Sequence, residues 1–77
     1  MKVPYRMKVP FDCMVYDTEP QVVTNPYSGD STILTPEEIA VYDTIKGAEI
    51  QGLYDIVGKG VDWFVQNNIN AYNVLLD

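Results

Sequence analysis

Carboxylates are the side chains in this sequence best placed to do acid–base chemistry. Asp and Glu together account for 11 of the 77 residues, whereas His is absent. Asp55 and Asp62 stand seven positions apart, which on a helix separates them by about 10 Å. That spacing exceeds the roughly 5 Å of a retaining glycosidase pair and lies near the inverting range. Because Lys59 stands between them, we interpret both acids as part of a solvated helix face.

Cys13 is the only cysteine in the sequence. A lone cysteine can form neither an intramolecular disulfide nor a zinc site built from several thiolates. The absence of histidine removes the Ser-His and Cys-His nucleophiles and the commonest metal ligand. The sequence also has no EF-hand, P-loop or Gly-x-Gly-x-x-Gly pattern. We therefore interpret Cys13 as a small buried hydrophobe, and we expect no enzymatic activity, no cofactor and no metal site.

Charge is distributed unevenly along the sequence. Lys2, Arg6 and Lys8 give +3 in the first eight residues, whereas from Asp12 onward eleven acids oppose two lysines, a balance of −9. An acidic body repels nucleic acid and membranes and attracts basic protein surfaces. We therefore expect a protein partner, which could itself be a nucleic-acid-binding protein, and no direct binding to nucleic acid or membrane.

The first twelve residues contain a near repeat, Met-Lys-Val-Pro-Tyr-Arg followed by Met-Lys-Val-Pro-Phe-Asp. Pro4 and Pro10 exclude a helix and disfavour a central strand, so an extended basic arm is predicted over residues 1–12. The repeat is either a duplicated translation start or an arm that packs on this chain or on a neighbour. The arm lacks the apolar stretch of a signal peptide, and no run approaches the roughly 20 residues that span a bilayer. This favours a cytoplasmic location.

Residues 13–77 are predicted to form one acidic domain, because a chain of 77 residues can build only one core. Short β-prone segments separated by turn residues predict a hairpin within residues 13–34, in which residues 22–24 pair with residues 32–34. The Asn-Pro-Tyr-Ser-Gly turn between them presents Tyr27 as a candidate contact tip. Because an isolated hairpin is marginal in water, it must pack on the helices.

Three helices are predicted, over about residues 36–50, 53–66 and 69–76. The first has the clearest start, because the Thr-Pro-Glu-Glu sequence at 35–38 matches a capping box with proline at the first helical position. The fold class expected from these elements is α+β, mainly α, with a small N-terminal β-hairpin packed on two to three short helices.

The second predicted helix carries apolar residues on two faces. Its buried stripe is predicted to comprise Leu53, Tyr54, Val57, Val61 and Phe64. Ile56 and Trp63 lie on another face, which either packs on the hairpin or contacts a partner. Gly58 and Gly60 indicate close packing of a neighbouring helix or a kink. A two-sided helix in so small a domain also favours a homodimer. The candidate partner-binding residues are Tyr27, Glu49, Asp55, Ile56, Asp62 and Trp63.

Several short segments of residues 22–77 form a distinctive series. They are Asn25-Pro26-Tyr27-Ser28-Gly29, Leu34-Thr35-Pro36, Ala40-Val41-Tyr42-Asp43, Ile45-Lys46-Gly47-Ala48-Glu49, Lys59-Gly60, Asp62-Trp63-Phe64, Ala71-Tyr72 and Leu75-Leu76-Asp77. The series resembles a group of very small, uncharacterised proteins of tailed bacteriophages. The resemblance implies a protein made inside an infected bacterium, and it implies no known activity and no functional residues.

Two functional hypotheses follow from these features. The first is a non-enzymatic bacteriophage accessory protein that binds and modulates, for instance by inhibition, a host or phage protein in the host cytoplasm. Its carboxylates could present an acidic, nucleic-acid-like surface to that partner. The second is a minor virion or assembly component that docks through its N-terminal arm.

Overall fold

The computed structural model describes residues 8–77, and its elements follow the order of two strands, three α-helices and a π-helix. The elements are β1 (Gln21–Thr24), β2 (Ser31–Leu34), α1 (Pro36–Gln51), α2 (Tyr54–Asn67), α3 (Ile69–Ala71) and a π-helix (Tyr72–Leu76). The fold is a small α+β arrangement that is mainly α, as predicted. Residues 1–7, which hold most of the predicted arm, lie outside the described residues.

The hairpin pairs β1 with β2 in antiparallel register, with Val22 opposite Ile33 and Val23 opposite Thr32. The predicted pairing of residues 22–24 with 32–34 is therefore confirmed. Leu34 at the end of β2 is fully buried and anchors the hairpin on the helices. Residues 13–16, which the sequence placed in the hairpin region, form no strand, so the hairpin is shorter than predicted.

In the segment before β1, partly buried and exposed side chains alternate from Phe11 to Asp17. Val9, Phe11 and Cys13 pack against the core. The Trp63 indole N–H donates a hydrogen bond to the Lys8 carbonyl oxygen at 2.6 Å. The apolar side chains at 9 and 11 therefore pack on their own chain, which is one of the alternatives left open for the arm.

A capping box begins α1. The Thr35 hydroxyl accepts a hydrogen bond from the Glu38 N–H at 3.2 Å, and the Glu38 carboxylate accepts one from the Thr35 N–H at 2.9 Å. The helix ends at Gly52, whose φ of 74° allows the Leu53 N–H to reach the Ala48 carbonyl oxygen at 2.9 Å. This turn lies between the first two predicted helices, and it folds α2 back beside α1.

The core lies between α1 and α2 and is closed by β2 and the last helical turns. A Cβ atom at Gly60 would collide with the buried Ile45 side chain, so this glycine lets the two helices approach closely. Gly58 has open space instead. The sequence indicated either close packing of a neighbouring helix or a kink at these glycines, and close packing is what the structure shows at position 60. The buried apolar residues are Leu34, Ile39, Ala40, Val41, Ile45, Ala48, Trp63, Phe64, Ala71 and Leu75.

The final predicted helix, residues 69–76, is in fact a single turn of α3 followed by a π-helix. Asn68 caps this segment, because its side-chain oxygen accepts a hydrogen bond from the Ala71 N–H at 3.1 Å. The Asn68 amide also donates to the Glu38 carboxylate at 3.0 Å, which joins the start of α1 to the α2–α3 junction. Across residues 8–77, no helix combines the length and apolar character needed to cross a bilayer.

Candidate functional site

Tyr27 lies in the hairpin loop, and its side chain is 96% exposed. The loop is fixed by Asn25, whose side-chain oxygen accepts a hydrogen bond from the Tyr27 backbone N–H at 2.8 Å. The Asn25 amide donates to the Val74 carbonyl oxygen at 2.9 Å, which ties the loop to the π-helix. Gly29 completes the turn with a φ of 79°, which glycine adopts without strain. An exposed tyrosine on a loop held in this way is well suited to contact another protein.

A groove of about 340 Å³ separates this loop from α1 and from residues 75–77. We call it the aromatic groove, and its lining includes Tyr27, Tyr42, Lys46, Glu49, Leu76 and Asp77. The groove therefore combines two aromatic rings and an aliphatic wall with two carboxylates and one ammonium group. This mixture of apolar walls and a few polar groups is typical of a binding site, and it contains no arrangement that would activate a nucleophile.

Lys46 occupies the side of the groove formed by α1. Its ammonium lies 3.2 Å from the Glu49 carboxylate oxygen and 5.8 Å from the centre of the Tyr42 ring. Both interactions are attractive: the first is an exposed ion pair, and the second is a cation–π contact. Two successive turns of α1 thus bring together an aromatic ring, a cation and an anion.

The turn between α1 and α2 exposes three large apolar side chains, which we call the helical corner. Ile50 is 87% exposed, Leu53 is 49% exposed and Tyr54 is 73% exposed. Leu53 and Tyr54 were predicted to be buried, and this prediction is wrong for both. The true inner face of α2 carries Trp63 and Phe64.

The aromatic groove and the helical corner are neighbours on α1. Positions 42, 46, 49 and 50 follow the spacing of one face of α1, and Leu53 lies beyond the helix end, after Gly52. Glu49 lines the groove, and the next residue in the sequence, Ile50, belongs to the corner. We call the two together the contact surface.

The structure places five of the six predicted partner-binding residues at three separate positions on the surface. Tyr27 and Glu49 both line the aromatic groove. Asp55 and Ile56 line a shallow depression beside the helical corner. Asp62 is exposed farther along α2, outside the contact surface.

Trp63 is a correction to the predicted set. Its side chain is only 8% exposed, packs edge-on against Phe64 with ring centres 5.1 Å apart, and donates to the Lys8 carbonyl oxygen. The sequence had left this face of α2 open between internal packing and partner contact. For Trp63 internal packing holds, because the segment before β1 covers the indole.

Seven of the residues named on the contact surface were not among the predicted contact residues. They are Tyr42, Lys46, Ile50, Leu53, Tyr54, Leu76 and Asp77. Helical spacing from Glu49 would have found Lys46 and Tyr42, which lie three and seven positions before it on one face of α1. Ile50 lies four positions after Lys46 on α1. Leu76 gave no such signal, because only the packing of the π-helix beside the hairpin loop brings it to the groove.

Two titratable groups outside the contact surface have shifted pKa values. Burial raises the pKa of the Cys13 thiol, and the neighbouring Asp12 carboxylate raises it further. The thiol is therefore protonated and weakly reactive at neutral pH. Partial burial also raises the pKa of Asp43, with a further contribution from the Asp17 carboxylate. Within residues 8–77, no group of three His, Cys, Asp or Glu side chains could hold a metal ion.

Comparison with known families, curated proteins and solved structures found no match to this chain.

Proposed function

We propose that this chain is a non-enzymatic accessory protein of a tailed bacteriophage that binds another protein through the contact surface and thereby modulates it. The observation that carries the proposal is the helical corner, where Ile50, Leu53 and Tyr54 are exposed in succession beside the aromatic groove. Exposing apolar side chains to water is unfavourable by about 25 cal/mol per Å². A partner that covers the corner would recover this free energy.

The residue types on the contact surface also support protein binding. Tyrosine is enriched among the residues that dominate the energy of protein interfaces, and Tyr27 and Tyr54 are both largely exposed. Each tyrosine offers a large apolar ring with a hydroxyl at its edge, and it loses little conformational entropy when it is fixed. Hydrogen bonds from Asn25 fix the backbone of the loop that carries Tyr27, and Tyr54 is held on the first turn of α2.

Charge indicates which partner would fit. The chain carries a formal net charge of −6; Glu49 and Asp77 line the aromatic groove, and Asp55 lies beside the helical corner. A partner with basic residues around an apolar patch would be attracted at long range and would complement the surface at contact. Proteins that bind nucleic acids present such surfaces, so they are one class of partner that the proposal includes.

Affinity capture with paired surface variants tests the proposal. Tagged wild-type chain would be incubated with lysate of phage-infected bacteria, in parallel with the variant Tyr27→Ser/Ile50→Ser. Both side chains are almost fully exposed, so the substitutions should leave folding intact. The matched control is Met14→Ser/Tyr16→Ser, which removes a similar pair of exposed side chains outside the contact surface.

We expect the wild-type chain and the control to capture one dominant protein in similar amounts. The surface variant should capture at least about tenfold less of it, because each lost hot spot weakens binding by about 1 kcal/mol or more. Equal recovery by all three chains would contradict the proposal, as would the absence of any protein above background.

A further inference from the structure

We propose that Tyr42 and Glu49 form a subsite for an arginine side chain of the partner protein, and that Lys46 of this chain occupies the subsite until the partner binds. This inference rests on the proposed function, because it names the chemistry that the aromatic groove recognises. Its basis is geometric: one ammonium group already lies against both members of the pair.

The subsite combines the two features that bind a cationic side chain. The Glu49 carboxylate oxygen is 3.2 Å from the Lys46 ammonium, and the Tyr42 ring centre is 5.8 Å from it. A carboxylate supplies the opposite charge, and the face of an aromatic ring attracts a cation through its quadrupole. Asp77 also lines the groove, so the described lining carries two carboxylates against one cation.

Lys46 is a replaceable occupant. Its ion pair with Glu49 joins positions three apart on one helix, and both side chains are close to half exposed. Exposed pairs of this kind change an equilibrium constant by only about twofold. The flexible lysine stem can therefore turn into solvent when a cation with better geometry enters the groove.

Arginine fits the subsite better than lysine does. A guanidinium group is planar, so it can donate two hydrogen bonds to one carboxylate while it stacks on an aromatic ring. The Leu76 wall of the groove adds an apolar neighbour. We therefore infer that the partner presents an arginine flanked by apolar side chains.

A titration with two defined peptides tests the inference. The probe is the peptide acetyl-Gly-Leu-Arg-Leu-Gly-amide, and its control contains citrulline, which keeps the shape of arginine without the charge. Binding to the isotopically labelled full chain would be followed by NMR for wild type, Lys46→Ala, Glu49→Gln and Lys59→Ala. The last variant removes the same charge as Lys46→Ala from an exposed site outside the groove.

We expect Lys46→Ala to bind the arginine peptide at least about twofold more tightly than wild type, because the competing ammonium is gone. Lys59→Ala should change the affinity less, Glu49→Gln should weaken it, and the citrulline peptide should bind poorly to every chain. The inference is overturned if Lys46→Ala binds no more tightly than Lys59→Ala, or if the two peptides bind equally. It is also overturned if Lys46→Ala shows no binding at about 5 mM arginine peptide, a concentration that would reveal even a dissociation constant in the millimolar range.

Failure of the subsite is distinguishable from failure of the proposed function. If Tyr27→Ser/Ile50→Ser loses the captured protein but Glu49→Gln retains it fully, the subsite is wrong and the contact surface stands. If capture does not depend on Tyr27 and Ile50, the proposed function is wrong whatever the peptides do.

Discussion

Gly58 and Gly60 stand two residues apart in α2 but face different surroundings. A Cβ atom at position 60 would overlap the buried Ile45 side chain and contact Phe11, whereas one at position 58 would meet open space. We expect Gly60→Ala to lower the free energy of unfolding by about 1–3 kcal/mol, because the packed core must shift. The control Gly58→Ala should raise it by up to about 1 kcal/mol, since alanine favours the helix.

Urea unfolding followed by the fluorescence of Trp63, the single tryptophan, measures both changes. Opposite signs for the two variants are the expected result. A neutral or stabilising Gly60→Ala would mean that α1 and α2 are not in close contact at this point.

Asp43 gives a pH-dependent prediction. Its pKa is raised by partial burial and by Asp17, so the native state binds protons more readily than the unfolded chain. Stability therefore falls as pH rises from about 3.9, the ordinary aspartate value, through the raised pKa, and it stays lower above that. Asp43→Asn should then stabilise the protein at neutral pH by a few tenths of a kcal/mol, because solvent screens much of the repulsion.

The stabilisation by Asp43→Asn should disappear in acid, where the aspartate is protonated in both states. Asp17→Asn should lower the pKa of Asp43, which an NMR titration of the Asp43 carboxyl carbon would detect. A gain in stability that is the same at every pH would show that the charge of Asp43 is not its cause.

Among the elements, the hairpin loop and the π-helix depend on one shared side chain. Asn25 accepts a hydrogen bond from the Tyr27 N–H and donates one to the Val74 carbonyl oxygen. The substitution Asn25→Asp keeps the acceptor and removes the donor, so it tests the link between the elements separately from the turn. We expect the free energy of unfolding to fall by about 1 kcal/mol or more, because an anion then faces the Val74 carbonyl.

Hydrogen exchange of the amides at residues 72–76 should also accelerate in Asn25→Asp. The control is Ser28→Ala, which removes only a bond within the loop, from the Asp30 N–H to the Ser28 hydroxyl. Unchanged exchange in Asn25→Asp would show that the π-helix is held by other contacts.

The elements that sequence predicted best are those specified by local chemistry. The capping box at residues 35–38 starts α1, and the turn residues before Ser31 set the hairpin, because both signals lie within a few positions. The π-helix was missed, because its backbone pattern depends on how it packs beside the loop. The same limit explains the error on α2, since helical spacing identified apolar positions but not which of them α1 would cover.

For the molecule as a whole, the structure reverses the predicted burial of two aromatic side chains. Trp63 was a candidate contact residue and is buried, because the segment that contains Lys8 and Phe11 covers α2. Tyr54 was predicted to be buried and is exposed at the helical corner. Both outcomes depend on contacts between residues far apart in sequence, which periodicity alone does not encode.

The contact surface itself shows how far the sequence could predict a site. Tyr27 and Glu49 were both proposed as contact residues, but nothing in their sequence positions indicated that they share one groove. They meet there because the hairpin loop, α1 and the π-helix pack together. The residue types could thus be predicted, whereas their grouping required the fold.

An NMR footprint of the captured protein on the labelled full chain tests the central claim most directly. We expect the largest amide shifts within residues 25–29, 42–54 and 75–77, which form the contact surface. The exposed outer face of the hairpin at Val22 and Ile33 should change little. A footprint centred on Val22 and Ile33 that leaves Tyr27, Ile50 and Tyr54 unperturbed would contradict the account.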